Sequence, residues 1–218
     1  MTYAVRSPAS SLLAPSIYRG SSHKRALALT FDDGPSEGTE AVLEILSRFG
    51  VPATFFQCGL NVNRLPELAR AVLREGHEIG NHSQTHARLY CSSKATIEME
   101  FRRAQEVISA TVGTMPRWLR PPFGVRWFGL REAQEKLGLM GVMWTVIALD
   151  WKLQSAAITR RLLERASNGG ILCLHDGREL QVKPDLSETL RALRESIPAL
   201  QDRGYKFETV SQLLCLTN

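Results

Sequence analysis

Five times along the chain an amphipathic segment ends on a glycine and a short apolar run follows: LSRFG then VPATFF, VLREG then HEIG, EKLG then LMGVMW, ASNGG then ILCLHD, and LQDRG then YKF. A glycine just past a helix end takes the left-handed backbone conformation that other residues resist, so each junction predicts a helix passing into a strand. The helical halves carry the matching period: Val42, Ile45, Leu46 and Phe49 share one face, and Leu65, Leu68, Ala69, Val72 and Leu73 share the next. Later segments repeat it through Ile97 to Ile108, Ile158 to Ala166 and Leu186 to Ile197, with Pro198 expected to stop or kink the last. The apolar runs Ala26 to Phe31, Thr54 to Cys58, Gly141 to Thr145 and Ile171 to Leu174 are mostly continuous, as strands buried on both faces of a parallel sheet are. Such alternation implies an α/β fold, open or closed, whose ligand sites lie beyond the C-terminal ends of the strands.

No linker-like block interrupts the 218 residues after about residue 25, so one domain is expected over 25–218, preceded by a turn-rich N-terminal arm over 1–24 that drapes the body or moves. The net charge of +5 comes from Lys and Arg interleaved with Glu along the helices, a solvated basic surface rather than a nucleic-acid stripe. Cys58, Cys91, Cys173 and Cys215 lack close metal-type spacing, two of them sit inside apolar runs, and they read as reduced core residues, with disulfides as the alternative. The uncharged stretch Leu137 to Leu149 is too short to span a membrane, and no transmembrane segment is expected. The N-terminus shows no charged start, apolar core and cleavage site, which reads as cytoplasmic for the chain as written, or as secreted or cell-envelope if a leader has been trimmed.

Asp32 and Asp33 stand side by side in LALTFDDGP, just past the first core strand. One could cap the next helix while Gly34 and Pro35 turn the chain; alternatively, beside a dication, one carboxylate coordinates and its neighbour takes a proton. NHSQTH adds His82 and His86, whose spacing of four is expected to set both imidazoles on one face of a helical turn. With Asp33 they make two imidazoles and a carboxylate, a set that leaves coordination positions open. His175 follows the strand of ILCLHDG; alone it reads better as a hydrogen-bonded core edge residue, but three strand ends delivering such groups together argue for a site. His77 and His23 lack this placement and are read as structural. In RPPFG, Arg120 could pair with a carboxylate and Gly124 admit close backbone approach, and in LDW, Trp151 could wall a pocket or stack on a sugar; loop rigidity and core filling are the plainer readings.

Through five motifs in order, TFDDGP, HSQTH, RPPFG, LDW and LCLH, the chain resembles the polysaccharide deacetylases of carbohydrate esterase family 4, the NodB-homology domain, over roughly residues 25 to 214. The resemblance implies a distorted (β/α) barrel of seven or eight parallel strands. It implies a hydrolase that removes N-acetyl groups from N-acetylglucosamine-containing glycans, such as chitin oligosaccharides or peptidoglycan. It implies that Asp33, His82 and His86 bind a metal, usually zinc, with cobalt or manganese sometimes accepted. Asp32 would be the general base steered by Arg120, and His175 the general acid tuned by Asp150. The backbone N–H of Phe123 would help bind the oxyanion. These roles answer what acetamide hydrolysis needs: a water activated near neutral pH, a stabilised oxyanion and a proton for the leaving amine.

The chain departs from the family pattern at Cys173, where a Leu commonly lines the pocket for the acetyl methyl, at Ile147, often Asp, and at Phe123, usually Tyr. Phe123, Trp151 and Cys173 are therefore the expected substrate contacts. Two alternatives stay open: an O-acetyl xylan esterase or small amide or imide hydrolase using the same residues, and a non-catalytic glycan-binding domain. The expected partner is an N-acetylated glycan, with no nucleic acid.

Overall fold

The computed structural model describes residues 13–215, so the first half of the expected N-terminal arm lies outside the described residues. In chain order the elements are β1 (Ser16–Ile17), β2 (Ala26–Asp32), α1 (Thr39–Phe49), β3 (Thr54–Gln57), α2 (Gly59–Arg64), α3 (Pro66–Arg74), β4 (Glu78–Asn81), α4 (Lys94–Val112) and β5 (Trp118–Leu119). A 3₁₀ turn at Pro122–Gly124 follows, then α5 (Leu130–Leu137), β6 (Met140–Val142), β7 (Val146–Ile147), α6 (Ser155–Arg165), β8 (Gly170–His175), α7 (Ser187–Asp202), β9 (Lys206–Glu208) and α8 (Val210–Leu213). Each of the five glycines that mark the junctions has the expected positive φ, from 64° at Gly50 and Gly138 to 83° at Gly76.

Eight strands lie in the order β1-β6-β5-β4-β3-β2-β8-β7, all paired in parallel, and β9 pairs with the start of β2 beside β3. Past β1 the chain crosses to β8 through an antiparallel bridge from Arg19 to Gly170 and a 2.8 Å hydrogen bond from the Gly20 N–H to the Gly169 carbonyl. The result is the distorted (β/α) barrel: a curled parallel sheet whose two ends approach each other without pairing strand to strand among the described residues.

Five local expectations change, one of them the core placement of all four cysteines: Cys58 and Cys173 are buried, but Cys91 and Cys215 are exposed, and all four are free thiols. Residues 16 and 17 of the arm are strand β1, hydrogen-bonded to β6 along an edge that would otherwise leave backbone groups unpaired. The run Gly141 to Thr145 is not one strand, because Met140–Val142 pairs with β1 and β5 while Val146–Ile147 pairs with β8; Met143 to Thr145 crosses the seam between the barrel's ends. β5 has two residues and gave no apolar run to read. Finally, α7 continues through Pro198 to Asp202, since burial of Ile197 and Leu200 outweighs the lost hydrogen bond.

Strand alternation explains where the site forms. Leu27, Leu29 and Phe31 of β2 face the helical layer, in one cluster with Val42 and Leu46 of α1 and Leu193 of α7. Ala26 and Ala28 face inward with Phe56, Trp118, Val142 and Ile171, and α8 plugs that end with Val210 and Leu213. Burying each large side chain contributes about 1.5–3 kcal/mol, so this parity is strongly enforced. Thr30 and Asp32 continue the inward set, which places a carboxylate inside the barrel at the C-terminal end of β2.

Candidate active site

The strand ends open onto a cleft of about 460 Å³ lined by both aspartates, His82, His86 and His175, with Phe123, Trp144, Ile147 and Trp151 as its apolar walls. Asp32 closes β2 with its side chain inward. Asp33 follows at φ 74°, a left-handed conformation that Asp tolerates better than most side chains, so the two neighbouring carboxylates diverge. The Asn61 amide holds the Asp33 carbonyl at 2.7 Å, and the Glu179 N–H donates to Asp33 Oδ2 at 2.8 Å.

The other oxygen, Asp33 Oδ1, is buried without a hydrogen-bond donor of its own and lies 3.3 Å from His82 Nε2 and 3.0 Å from His86 Nε2. His82 Nδ1 is 2.7 Å from the Arg120 carbonyl, which only accepts, so the proton of a neutral His82 belongs on Nδ1. Its Nε2 lone pair then faces a carboxylate oxygen. Two acceptors turned toward each other in a buried site, with a second imidazole beside them, are the donor set of a dication; these residues fit a metal. Burial opposes ionisation of Asp33, but imidazole N–H groups of His82 and His86 turned toward it in place of a cation, together with His175, hold its carboxyl well below the usual range. The expected helical turn beneath the histidines does not form. Both sit on an irregular segment after β4, and positive φ at Ser83 (68°) and His86 (53°) brings the rings together at 5.1 Å.

Arg120 is wholly buried, and its Nη1 donates to Asp32 Oδ1 at 2.6 Å and Thr30 Oγ1 at 2.8 Å. Nε donates to the Val142 carbonyl at 3.0 Å and Nη2 to the Met143 carbonyl at 3.1 Å, while the guanidinium lies over the Phe56 ring at 4.0 Å. A desolvated cation needs such a full set of acceptors, and it fixes the orientation of Asp32. Across the β2–β8 pairing, Asp32 and His175 are register partners. His175 Nδ1 donates to Asp150 Oδ1 at 2.8 Å, leaving Nε2 as the nitrogen that can offer a proton to the cleft. Burial alone would lower the His175 pKa; the Asp150 carboxylate outweighs it and raises the value to about 9. Burial likewise opposes the charge on Asp150, but His175, Arg178 and the Thr189 hydroxyl hold its carboxyl below the usual range.

The sequence-predicted residues converge, with one exception. Phe123, at φ 57°, packs its ring edge-on against His86 at 4.7 Å, and Trp151, about half exposed, stands T-shaped to His175 at 5.0 Å. Cys173 does not line the cleft: it is wholly buried beneath Asp32, with Sγ 3.4 Å from Asp32 Oδ2. It shares the inward face of β8 with His175, and Asp32 covers it. Sequence reasoning missed Thr189 and Arg178, which hold the Asp150 carboxylate and carbonyl at 2.9 and 3.1 Å. It also missed the cleft walls Trp144 and Glu179. Arg178 and Glu179 stand three and four residues after His175, the only local signal available.

An arginine-held carboxylate, a carboxylate-held imidazole and a dication-type trio around one cleft are the groups that metal-assisted acyl transfer to water requires. Residues 19–142 match the family model described as polysaccharide deacetylase, and the chain belongs to that family. This is an enzyme family dependent on metal, and the Asp33, His82 and His86 group is the candidate site for it. The chain is 34% identical over 206 residues to peptidoglycan-N-acetylglucosamine deacetylase PgdA of Listeria monocytogenes, covering 94% of this chain but only 42% of that protein. It is 37% identical over 205 residues to a chitooligosaccharide deacetylase of a Bradyrhizobium species, covering 90% of this chain and 94% of the relative. Among solved structures, the Bc1960 peptidoglycan N-acetylglucosamine deacetylase superposes with a TM-score of 0.85 at 30% identity, over 93% of this chain and 94% of the other. A family 4 pseudoenzyme of Bacillus anthracis superposes with a TM-score of 0.83 at 29% identity, over 91% of this chain and 68% of the other.

Proposed function

We propose that this chain hydrolyses the N-acetyl groups of N-acetylglucosamine-containing glycans, chitin oligosaccharides or peptidoglycan, with zinc as the ion at Asp33, His82 and His86. The observation that carries the reading is the pairing of Asp32 with Arg120 on one side of the cleft and of His175 with Asp150 on the other. A fold shared with a pseudoenzyme does not decide for catalysis; an oriented base and an oriented acid facing one cavity support it, since a glycan-binding domain needs neither. When bound, the dication polarises the acetamide carbonyl and lowers the pKa of water at the site.

Asp32, fixed by Arg120, takes the proton from the attacking water, while the Phe123 N–H donates to the oxygen on which charge develops. His175 gives its Nε2 proton to the departing amine, and Asp150 stabilises the imidazolium before transfer and keeps the ring in place. Trp144, Ile147 and Trp151 supply apolar walls near these groups, suited to an acetyl methyl and a sugar face. The test is acetate release from N-acetylated chito-oligosaccharides, from peptidoglycan and from acetylxylan, using metal-stripped protein with and without added zinc or cobalt. Metal-dependent release of acetate is expected; no release with either metal rejects the reading, and release only from acetylxylan moves it to an O-acetyl esterase.

A further inference from the structure

A second set of metal-type donors lies next to the first. A carboxylate oxygen of Asp32, the Cys173 sulfur and a ring nitrogen of His175 all stand within 4.8 Å of one another. The two sets differ in chemistry: Asp33, His82 and His86 offer one oxygen and two nitrogens, whereas this one contains a thiol. Arg120 occupies Asp32 Oδ1 and leaves Oδ2 facing Cys173 Sγ at 3.4 Å, and Asp150 occupies His175 Nδ1 and leaves Nε2. We propose that Asp32, Cys173 and His175 form a separate, inhibitory site for a thiophilic dication such as cadmium or zinc in excess. The assignment of inhibition, though not of binding, rests on the roles proposed above for Asp32 and His175.

The surroundings support a cation there. Burial first, and then the Asp32 carboxylate, push the Cys173 thiol well above its ordinary value, so without an ion it remains an S–H donor to Asp32. The carboxylates of Asp32 and Asp150 that disfavour a bare thiolate favour a dication bound to one, and the Arg120 guanidinium, which acts in the opposite sense, is already paired with Asp32 Oδ1. On binding, the Cys173 thiol proton and the His175 Nε2 proton both leave to solvent, and metal–sulfur and metal–nitrogen bonds replace the S–H and N–H bonds, with no change of oxidation state. Soft thiolate ligation selects cadmium or zinc over magnesium or calcium. An ion there holds the carboxylate that must take a proton and the imidazole that must give one, and so stops the reaction without displacing the catalytic metal.

The experiment adds cadmium to zinc-loaded protein and to zinc-loaded Cys173→Ser, following uptake, near-ultraviolet sulfur-to-cadmium absorption and acetate release. Cys58, Cys91 and Cys215 are present in both proteins, so the difference between them reports Cys173. The wild type is expected to take up one equivalent more, to show the additional absorption, and to lose at least tenfold of its activity; the variant keeps its cadmium-free rate. Equal uptake and equal absorption overturn the proposal. If Cys173→Ser does not fold, cadmium-soaked crystals of the wild type decide: an anomalous peak among Asp32, Cys173 and His175 is expected, and its absence overturns it. Uptake and absorption read the site even if the protein releases no acetate, which separates this proposal from the deacetylase reading.

Discussion

Arg120 and Asp32 form an ion pair of 2.6 Å inside the barrel, with no solvent exposure on the arginine. Coulombic attraction repays the desolvation of such a pair only when the remaining donors are matched, and here Thr30 and two strand-end carbonyls match them. Arg120→Lys keeps the charge but loses the fork that reaches all four partners at once. It is expected to lower kcat by about 100-fold through misplacement of Asp32, with a smaller change in KM. Arg120→Met leaves Asp32 buried and unpaired and is expected to cost about 3–5 kcal/mol of stability. Steady-state kinetics on the lysine variant and denaturant unfolding of the methionine variant check the two effects.

With His175 as the proposed acid, the His175–Asp150 pair is expected to set the alkaline side of the pH profile. Its proton is present below a pKa of about 9 and is lost as the pH rises through that value, so activity should fall there. In Asp150→Asn the carboxylate that outweighs burial is gone, and the alkaline limb is expected to move to lower pH. Thr189→Val removes one of the hydrogen bonds that hold Asp150 but leaves its charge beside His175, so it is expected to lower kcat with little movement of the limb. A kcat/KM profile whose alkaline limb is unchanged in Asp150→Asn would remove His175 from the role of acid.

The elements most legible in the sequence were those with a local physical cause. Gly50, Gly76 and Gly138 announced helix ends because only glycine takes their backbone angles cheaply, and the runs of β2 and β8 announced buried strands because both faces are covered. Asp32, Asp33, His82 and His175 were legible because each stands at the end of a core strand, whereas the pairings of Arg120 with Asp32 and of Asp150 with His175 were indicated by the family motifs. What stayed hidden depends on nonlocal pairing. Nothing in residues 16 and 17 shows that they complete the edge of β6, and the run around Gly141 does not say that it crosses a seam. The descent of Cys173 beneath Asp32 follows from the β2–β8 register, and Thr189, fourteen residues beyond His175, reaches Asp150 only through the packing of α7.

The division of labour between the adjacent aspartates can be read without activity. His82→Ala or His86→Ala removes an imidazole facing Asp33 Oδ1 and is expected to weaken zinc binding by at least tenfold, as loss of a direct ligand does. Asp32→Asn keeps the trio intact and should hold zinc with near wild-type affinity while losing most acetate release. Isothermal titration of zinc into the stripped proteins measures the first effect and the second. Zinc affinity that falls equally in all three variants would contradict the assignment of Asp33 alone as the carboxylate ligand.

His77 gives a pH dependence of stability unrelated to the cleft. It is buried beside Phe55, its Nδ1 accepts the Ala53 N–H at 3.2 Å, and its Nε2 has no hydrogen-bond partner among the described residues. Burial lowers its pKa to about 4, below the value of about 6.5 in the unfolded chain. Between those two values the unfolded chain binds a proton that the folded chain refuses, so this contribution is complete above about pH 6.5 and is lost as the pH falls toward 4. The amount is on the order of 2 kcal/mol after allowing for partial solvent screening. His77→Gln retains an acceptor for Ala53 but does not titrate, so it should be less stable at neutral pH yet lose less on acidification. Urea unfolding at about pH 7.5 and about pH 5 measures the difference; an equal loss in both proteins would assign the acid sensitivity to other groups.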